Sequence, residues 1–231
     1  YSSYTKDDIA GLVKYAREHF INIIPEFDFS YLLVNDSAQN QKKSIDEILA
    51  MFPGKFLHIG QTNYLSKETA DYLTSKNIKI IGYDNALSTS IVQSYKNNSA
   101  GIKAAQNGKE VIMSPRNPTA LDNYQFWDDS KLSKGMFYLP IDDVYKFDPS
   151  SKIKDEKTAN FILGGEATIN TEEYTSKFKL SRQVFPRLYA IAECLWTAKS
   201  KKTSFKEFNR RLEKIGYPGQ VTEKINWVKF K

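Results

Sequence analysis

The chain has 231 residues, 41% hydrophobic and 26% charged, which suits one large or two small folded domains and excludes intrinsic disorder. Thirty-three Lys and Arg against 27 Asp and Glu leave a net charge of +6, but the basic residues are scattered and mostly Lys, so no nucleic-acid groove is expected. The single Cys194 excludes an internal disulfide framework and a cysteine zinc cluster, and His19 and His58 are too few for a His-rich metal site.

No apolar run approaches the ~18 residues of a membrane span. The first residue is Tyr1, with no initiator Met and no signal peptide, so the chain reads as a piece of something longer. Thr5 caps a helix whose apolar positions are Ile9, Leu12, Val13, Ala16 and Phe20. Phe20 to Ile24 is a short apolar run stopped by Pro25 and predicts a buried strand. Ser44 and Glu47 form a capping box before Ile48, Leu49 and Met51, and Pro53-Gly54 ends that helix.

Phe56 to Ile59 predicts a strand closed by Gly60, and Ser66 caps a helix reaching Lys76. Ile78 to Ile81 and Ser90 to Gln93 are strands, Ala100 to Asn107 is a helix stopped by Gly108, and Glu110 to Met113 is a strand. Arg116 to Lys154 carries no periodic pattern. Phe161 to Leu163 is the last strand, ended by Gly164-Gly165. Helices over 181–198 and 204–215 close the chain, with Pro186 in a first turn or at a kink and Ser204–Glu207 as a capping box. Lys199, Lys201 and Lys202 fall where they would complement the dipole of the first of these helices.

Short apolar strands ended by Pro or Gly alternate with helices, which predicts a parallel sheet of βα units. There is no Gly-rich dinucleotide fingerprint and no phosphate loop, which weakens a doubly wound sheet. Six strands are predicted, and a βα barrel needs eight.

In such a barrel the functional residues follow the C-terminal ends of the strands. Those positions read Pro25-Glu26-Phe27-Asp28, then His58-Ile59-Gly60-Gln61-Thr62-Asn63, Gly82-Tyr83-Asp84, Gln93-Ser94-Tyr95, Ser114-Pro115 and Gly164-Gly165-Glu166-Ala167-Thr168-Ile169-Asn170-Thr171-Glu172. The order resembles the catalytic domain of family 20 glycoside hydrolases, the β-N-acetylhexosaminidases, with their P-E-I-D-M-P-G-H, H-I-G-G-D-E, G-W-D-E, Q-S-W and G-G-Q-A-N-L-W-T-E motifs. Phe185-Pro186-Arg187-Leu188-Tyr189-Ala190-Ile191-Ala192-Glu193-Cys194-Leu195-Trp196 is similar to the family's F-P-R-L-x-A-x-A-E-x-x-W helix. The resemblance implies an α/β fold of the (β/α)8 TIM-barrel type. Residues 1–231 would supply strands three to eight, the C-terminal two-thirds of the barrel.

The departures bear on activity. The family's reaction is substrate-assisted: the acetamido oxygen attacks the anomeric carbon, an Asp orients that group, and the adjacent Glu protonates the leaving oxygen. Here the resemblance puts Thr62 and Asn63 at those two positions, so no intact catalytic residue is expected. Leu32 stands in place of the family's histidine, and the three sugar-walling tryptophans become Tyr83, Tyr95 and Asn170. Asp28, Tyr83, Asp84, Tyr95, Tyr124 and Glu172 remain as expected sugar-binding positions, with Asp122 near Tyr124, while Glu166, a Gln in many members, is a possible substitute carboxylate with Asp84.

The implied function is a degenerate domain that does not hydrolyse but binds N-acetylhexosamine-containing glycans. The alternative is a working β-N-acetylhexosaminidase with a rewired site. No cofactor or metal is expected. A glycan or amino-sugar ligand and a companion segment or chain covering the open edge are the expected partners, and the resemblance implies a periplasmic, extracellular or lysosome-like location. Glu26, His58, His19 and Cys194 read as structural residues, Cys194 on the apolar face of its helix.

Overall fold

A computed structural model describes residues 3–27, 37–60, 65–84, 89–126, 137–172, 174 and 176–218. The chain divides into two compact units, one of Tyr1–Tyr95, Ser99–Ile112 and Asp155–Leu163, the other of Lys96–Asn98, Met113–Lys154 and Gly164–Lys231.

In the first unit, helix α1 (Lys6–Glu18) starts where the sequence places it. Thr5 Oγ1 accepts the Asp8 N–H at 3.1 Å, and the Asp8 carboxylate accepts the Thr5 N–H at 2.9 Å, so two amides of the open first turn are satisfied reciprocally. Helix α2 (Ala38–Met51) begins earlier than the Ser44 capping box predicts. Its cap is Ser37, whose hydroxyl accepts the Asn40 N–H. Ser44 and Glu47 therefore lie inside the helix, where the amides they would cap already serve the helical ladder. Helix α3 (Lys67–Ser75) is capped by Ser66 as expected.

Five strands form a parallel sheet in sequential order: β1 (Phe56–His58), β2 (Lys79–Tyr83), β3 (Ile91–Ser94), β4 (Glu110–Met113) and β5 (Ile162–Gly165). Leu57 pairs with Ile80, and Gly82 pairs with Val92. Helix α4 (Asn98–Gln106) follows β3. A strand order that never reverses is a barrel wall wound in one direction, whereas a doubly wound sheet has a switch point.

The sixth expected strand, Phe20 to Ile24, does not form. Phe20 turns into the left-handed region (φ 59°), residues 21–25 are irregular, and pairing with β1 is confined to a single parallel bridge between Glu26 and His58. That bridge consists of His58 N–H to Pro25 O at 3.0 Å and Phe27 N–H to His58 O at 2.8 Å. Phe20 is 99% exposed, and Ile21, Ile23 and Ile24 are exposed too. The unit's core is Leu57 and Ile59 from β1 and the residue after it, Ile80 from β2, and Ile45, Ala70 and Leu73 from α2 and α3.

In the second unit the expected 181–198 helix is two helices, α5 (Lys177–Val184) and α6 (Arg187–Trp196). Pro186 has no N–H to extend α5, and Phe185 before it is held extended (φ −97°, ψ 145°), so the axis breaks there. Helix α7 (Phe205–Ile215) is capped by Ser204 as expected. Lys199 and Lys201 lie in a separate 3-10 turn beyond α6 rather than in its last turn. Lys199 pairs with Asp148 at 2.9 Å, and Lys202 donates to the Tyr145 carbonyl. The stretch from Arg116 to Lys154, expected to be irregular, contains a helical turn at Ile141–Val144, while at Arg116–Thr119 the backbone of Asn117 and Pro118 leaves the helical region.

The second unit is organised around Arg187, which is fully buried. Its Nη1 donates to Asn123 O (3.0 Å) and Leu139 O (3.1 Å), and its Nη2 to Leu121 O (2.5 Å) and Gln183 O (2.7 Å). Gln183 Nε2 joins the same carbonyls of Leu121 and Asn123 at 2.8 and 2.6 Å. Backbone dipoles thus surround the buried charge. Among the described residues no helix is long and apolar enough to cross a membrane.

Candidate functional site

The C-terminal ends of three neighbouring strands in the first unit carry a row of rings. His58 ends β1, Tyr83 ends β2, and Tyr95 follows β3 directly. His58 and Tyr83 meet edge to face with centroids 4.5 Å apart, and Tyr83 and Tyr95 are 5.3 Å apart at 50°. The parallel register brings this about: each strand ends one step along the barrel wall from the last, so ring follows ring.

Local turns hold the row. Gly60, in the left-handed region at φ 68°, donates its N–H to His58 Nδ1 at 3.0 Å. The same Nδ1 lies 3.6 Å from the Glu26 carboxylate. Glu26, which reads as structural in the sequence, has a partner in the row: Tyr83 donates its hydroxyl to Glu26 Oε2 at 2.9 Å. Asp84 takes φ 41°, its N–H bonds Gln93 O at 2.8 Å, and its Oδ1 accepts the Tyr95 N–H at 3.0 Å. The carboxylate of Asp84 thereby ties the end of β2 to the residue after β3. A partly exposed pair of tyrosines flanked by carboxylates can stack on the C–H face of a sugar ring and accept its hydroxyls.

Glu166, Asn170 and Glu172 belong to the second unit and are exposed. The Glu166 N–H bonds Met113 O at 3.0 Å, and Asn170 Oδ1 accepts the Glu172 N–H at 3.2 Å, a local turn that occupies the side chain. Tyr124, half-buried in the same unit, forms a bridge with Tyr138, and Asp122 is half-buried close by in sequence. Asp28, Leu32, Thr62 and Asn63 lie outside the described residues. Among the described residues no group of His, Cys, Asp and Glu could hold a metal ion. Sequence reasoning did not find the Glu26–Tyr83 bond. The signal available was the exchange of tryptophan for tyrosine, which introduces a hydroxyl that needs a partner.

The family model of the glycosyl hydrolase family 20 catalytic domain matches residues 1–30 and 61–199. The chain belongs to glycosyl hydrolase family 20. The match omits residues 31–60, so the His58-Ile59-Gly60 frame rests on where β1 ends rather than on the model. A β-hexosaminidase of Porphyromonas gingivalis is 25% identical over an alignment covering 91% of this chain and 36% of that protein. A β-N-acetylhexosaminidase of Cellulomonas fimi is also 25% identical, covering 78% of this chain and 41% of its own length. The chain thus spans between 36% and 41% of these two curated relatives.

Solved structures agree on the fold. The family 20 exo-β-N-acetylglucosaminidase of Vibrio harveyi, in complex with N-acetylglucosamine, has a TM-score of 0.77 at 20% identity and covers 91% of this chain and 44% of the other. The β-N-acetylhexosaminidase of Bacteroides fragilis gives 0.76 at 21% identity, covering 93% and 56%. This is a β-hexosaminidase-like domain carrying part of a TIM barrel.

Proposed function

We propose that this family 20 domain binds N-acetylhexosamine-containing glycans without hydrolysing them. The reading rests on Thr62-Asn63, the pair that the strand-end resemblance puts at the positions of the family's Asp-Glu. Neither side chain delivers a proton near neutral pH. Loss of a general acid costs ~10²–10⁴ in rate, and loss of an electrostatic stabiliser ~10²–10³. The tyrosine row with Asp84 and Glu26 supports retained binding, because stacking and hydroxyl recognition need no proton transfer. The exposed Ile21, Ile23 and Ile24 support a companion segment or chain covering that edge. A periplasmic, extracellular or lysosome-like location belongs to the same proposal.

The test pairs two measurements on one preparation. Hydrolysis of a chromogenic N-acetylglucosaminide is expected to stay at background, while calorimetric titration with N-acetylglucosamine oligomers is expected to show binding weakened by Tyr83→Ala. Hydrolysis by the unmodified protein that is lost on Glu166→Gln overturns the reading in favour of a rewired hexosaminidase. Absence of both cleavage and binding leaves a structural remnant.

A further inference from the structure

We infer that Glu26 is a positioning residue: it fixes Tyr83 for ligand stacking, a role the tryptophan of related domains cannot share. The inference rests on the glycan-binding reading above. An indole at position 83 would present no hydroxyl, whereas Tyr83 donates its own to Glu26 Oε2 at 2.9 Å. Glu26 is itself fixed, because the residues on either side of it bond β1 through His58 N–H to Pro25 O and Phe27 N–H to His58 O. The tether therefore runs from the backbone of one strand, through a carboxylate, to the tip of a ring on another.

The geometry says which freedom is removed. The phenol oxygen lies on the axis of ring rotation, so a bond there leaves χ2 free and holds χ1. His58 and Tyr95 set the ring plane by packing at 4.5 and 5.3 Å. A side chain immobilised before ligand arrives does not have to be ordered on binding, a difference of ~3–10-fold in affinity for one ring. Glu26 also explains why a tyrosine serves here: its hydroxyl lies in reach of a carboxylate bridged to the end of β1.

The experiment titrates triacetylchitotriose into the unmodified protein and the variants Glu26→Ala, Tyr83→Phe, their double, and Glu26→Gln. It also measures the Tyr83 Hα–Hβ couplings by NMR. Glu26→Ala and Tyr83→Phe are each expected to weaken binding ~3–10-fold, the double variant no further, and Glu26→Gln, which keeps an acceptor oxygen, by less than ~2-fold. Losses that multiply, or a Tyr83→Phe variant that binds like the unmodified protein, overturn the inference. If Glu26→Ala does not fold, Tyr83→Phe removes the same bond from its other end. If the unmodified protein binds no sugar, the glycan reading fails and the couplings decide alone. A single χ1 rotamer that persists in Glu26→Ala and in Tyr83→Phe then refutes positioning, and averaging in either supports it.

Discussion

Replacing Arg187 by Met keeps the apolar stem of the side chain and removes the guanidinium, with its bonds to the carbonyls of Asn123, Leu139, Leu121 and Gln183. The carbonyls of Leu121 and Asn123 would each keep the Gln183 amide, while Leu139 O would have no other partner among the described residues. An orphaned buried carbonyl costs ~1–3 kcal/mol and each shared bond ~0.5–1.5 kcal/mol. Relief of burying a charge returns part of this, so the net destabilisation is about 3–5 kcal/mol. That is a large share of the ~5–15 kcal/mol that holds a domain together. Arg187→Lys keeps the charge but cannot span four carbonyls with one compact ammonium, and about half the loss is expected. Urea unfolding followed by circular dichroism measures both. An Arg187→Met variant within ~1 kcal/mol of the unmodified protein would refute the reasoning and show that the carbonyls find water or one another.

Three further outcomes are expected at other positions. A methyl group on Gly165 would lie 2.6 Å from Phe147 Cε1 and 2.9 Å from Leu195 Cδ2, so Gly165→Ala is expected to destabilise by ~1–3 kcal/mol in thermal unfolding. Burial works against the Glu193 charge, but the hydrogen bonds from Arg211, Tyr145 and Thr203 outweigh it and hold the carboxyl below its usual range. A depressed carboxyl contributes stability above its unfolded value that is lost as pH falls through the folded one. Glu193→Gln is therefore expected to cost ~1–2 kcal/mol at neutral pH and to flatten the acid limb of a stability–pH curve. On the proposed reading, in which Leu32 and Asn170 take the places of the relay histidine and the third stacking wall, the double change Thr62→Asp with Asn63→Glu is expected to restore no hydrolysis of a chromogenic N-acetylglucosaminide; turnover above background in that variant would overturn that placement.

Strand-end signals carried most of the fold in the sequence. Gly60 and Pro115 follow the ends of β1 and β4, whereas β2 and β5 run on through Gly82 and Gly164, which were expected to end them, and the caps Thr5, Ser66 and Ser204 start three helices where expected. The failures have local causes. Ser37 lies ahead of a mostly polar run, residues 38–43, whereas Ser44 directly precedes the apolar Ile45 and Ile48, so the apolar pattern points to the later serine. Phe20 to Ile24 has the composition of a strand, but composition does not supply a ladder partner, and only Pro25 to Phe27 finds one in β1. The roles of Glu26 and Arg187 depend on which backbone groups come within reach, and that is a property of the folded register. Tyr83 and Tyr95 were legible because each closes a strand that the pattern already located.

The clamp around Arg187 has a consequence for how this protein tolerates change. Its guanidinium holds Leu121 and Asn123 on one side of residues 127–136 and Leu139 on the other. Two further bonds, Tyr124 N–H to Phe137 O at 3.0 Å and Leu139 N–H to Tyr124 O at 2.7 Å, join the same two flanks. The two flanks thus share one set of donors and acceptors. A change at Arg187 is therefore felt at Leu121, Asn123 and Leu139 together, although Leu139 lies 48 positions away in sequence.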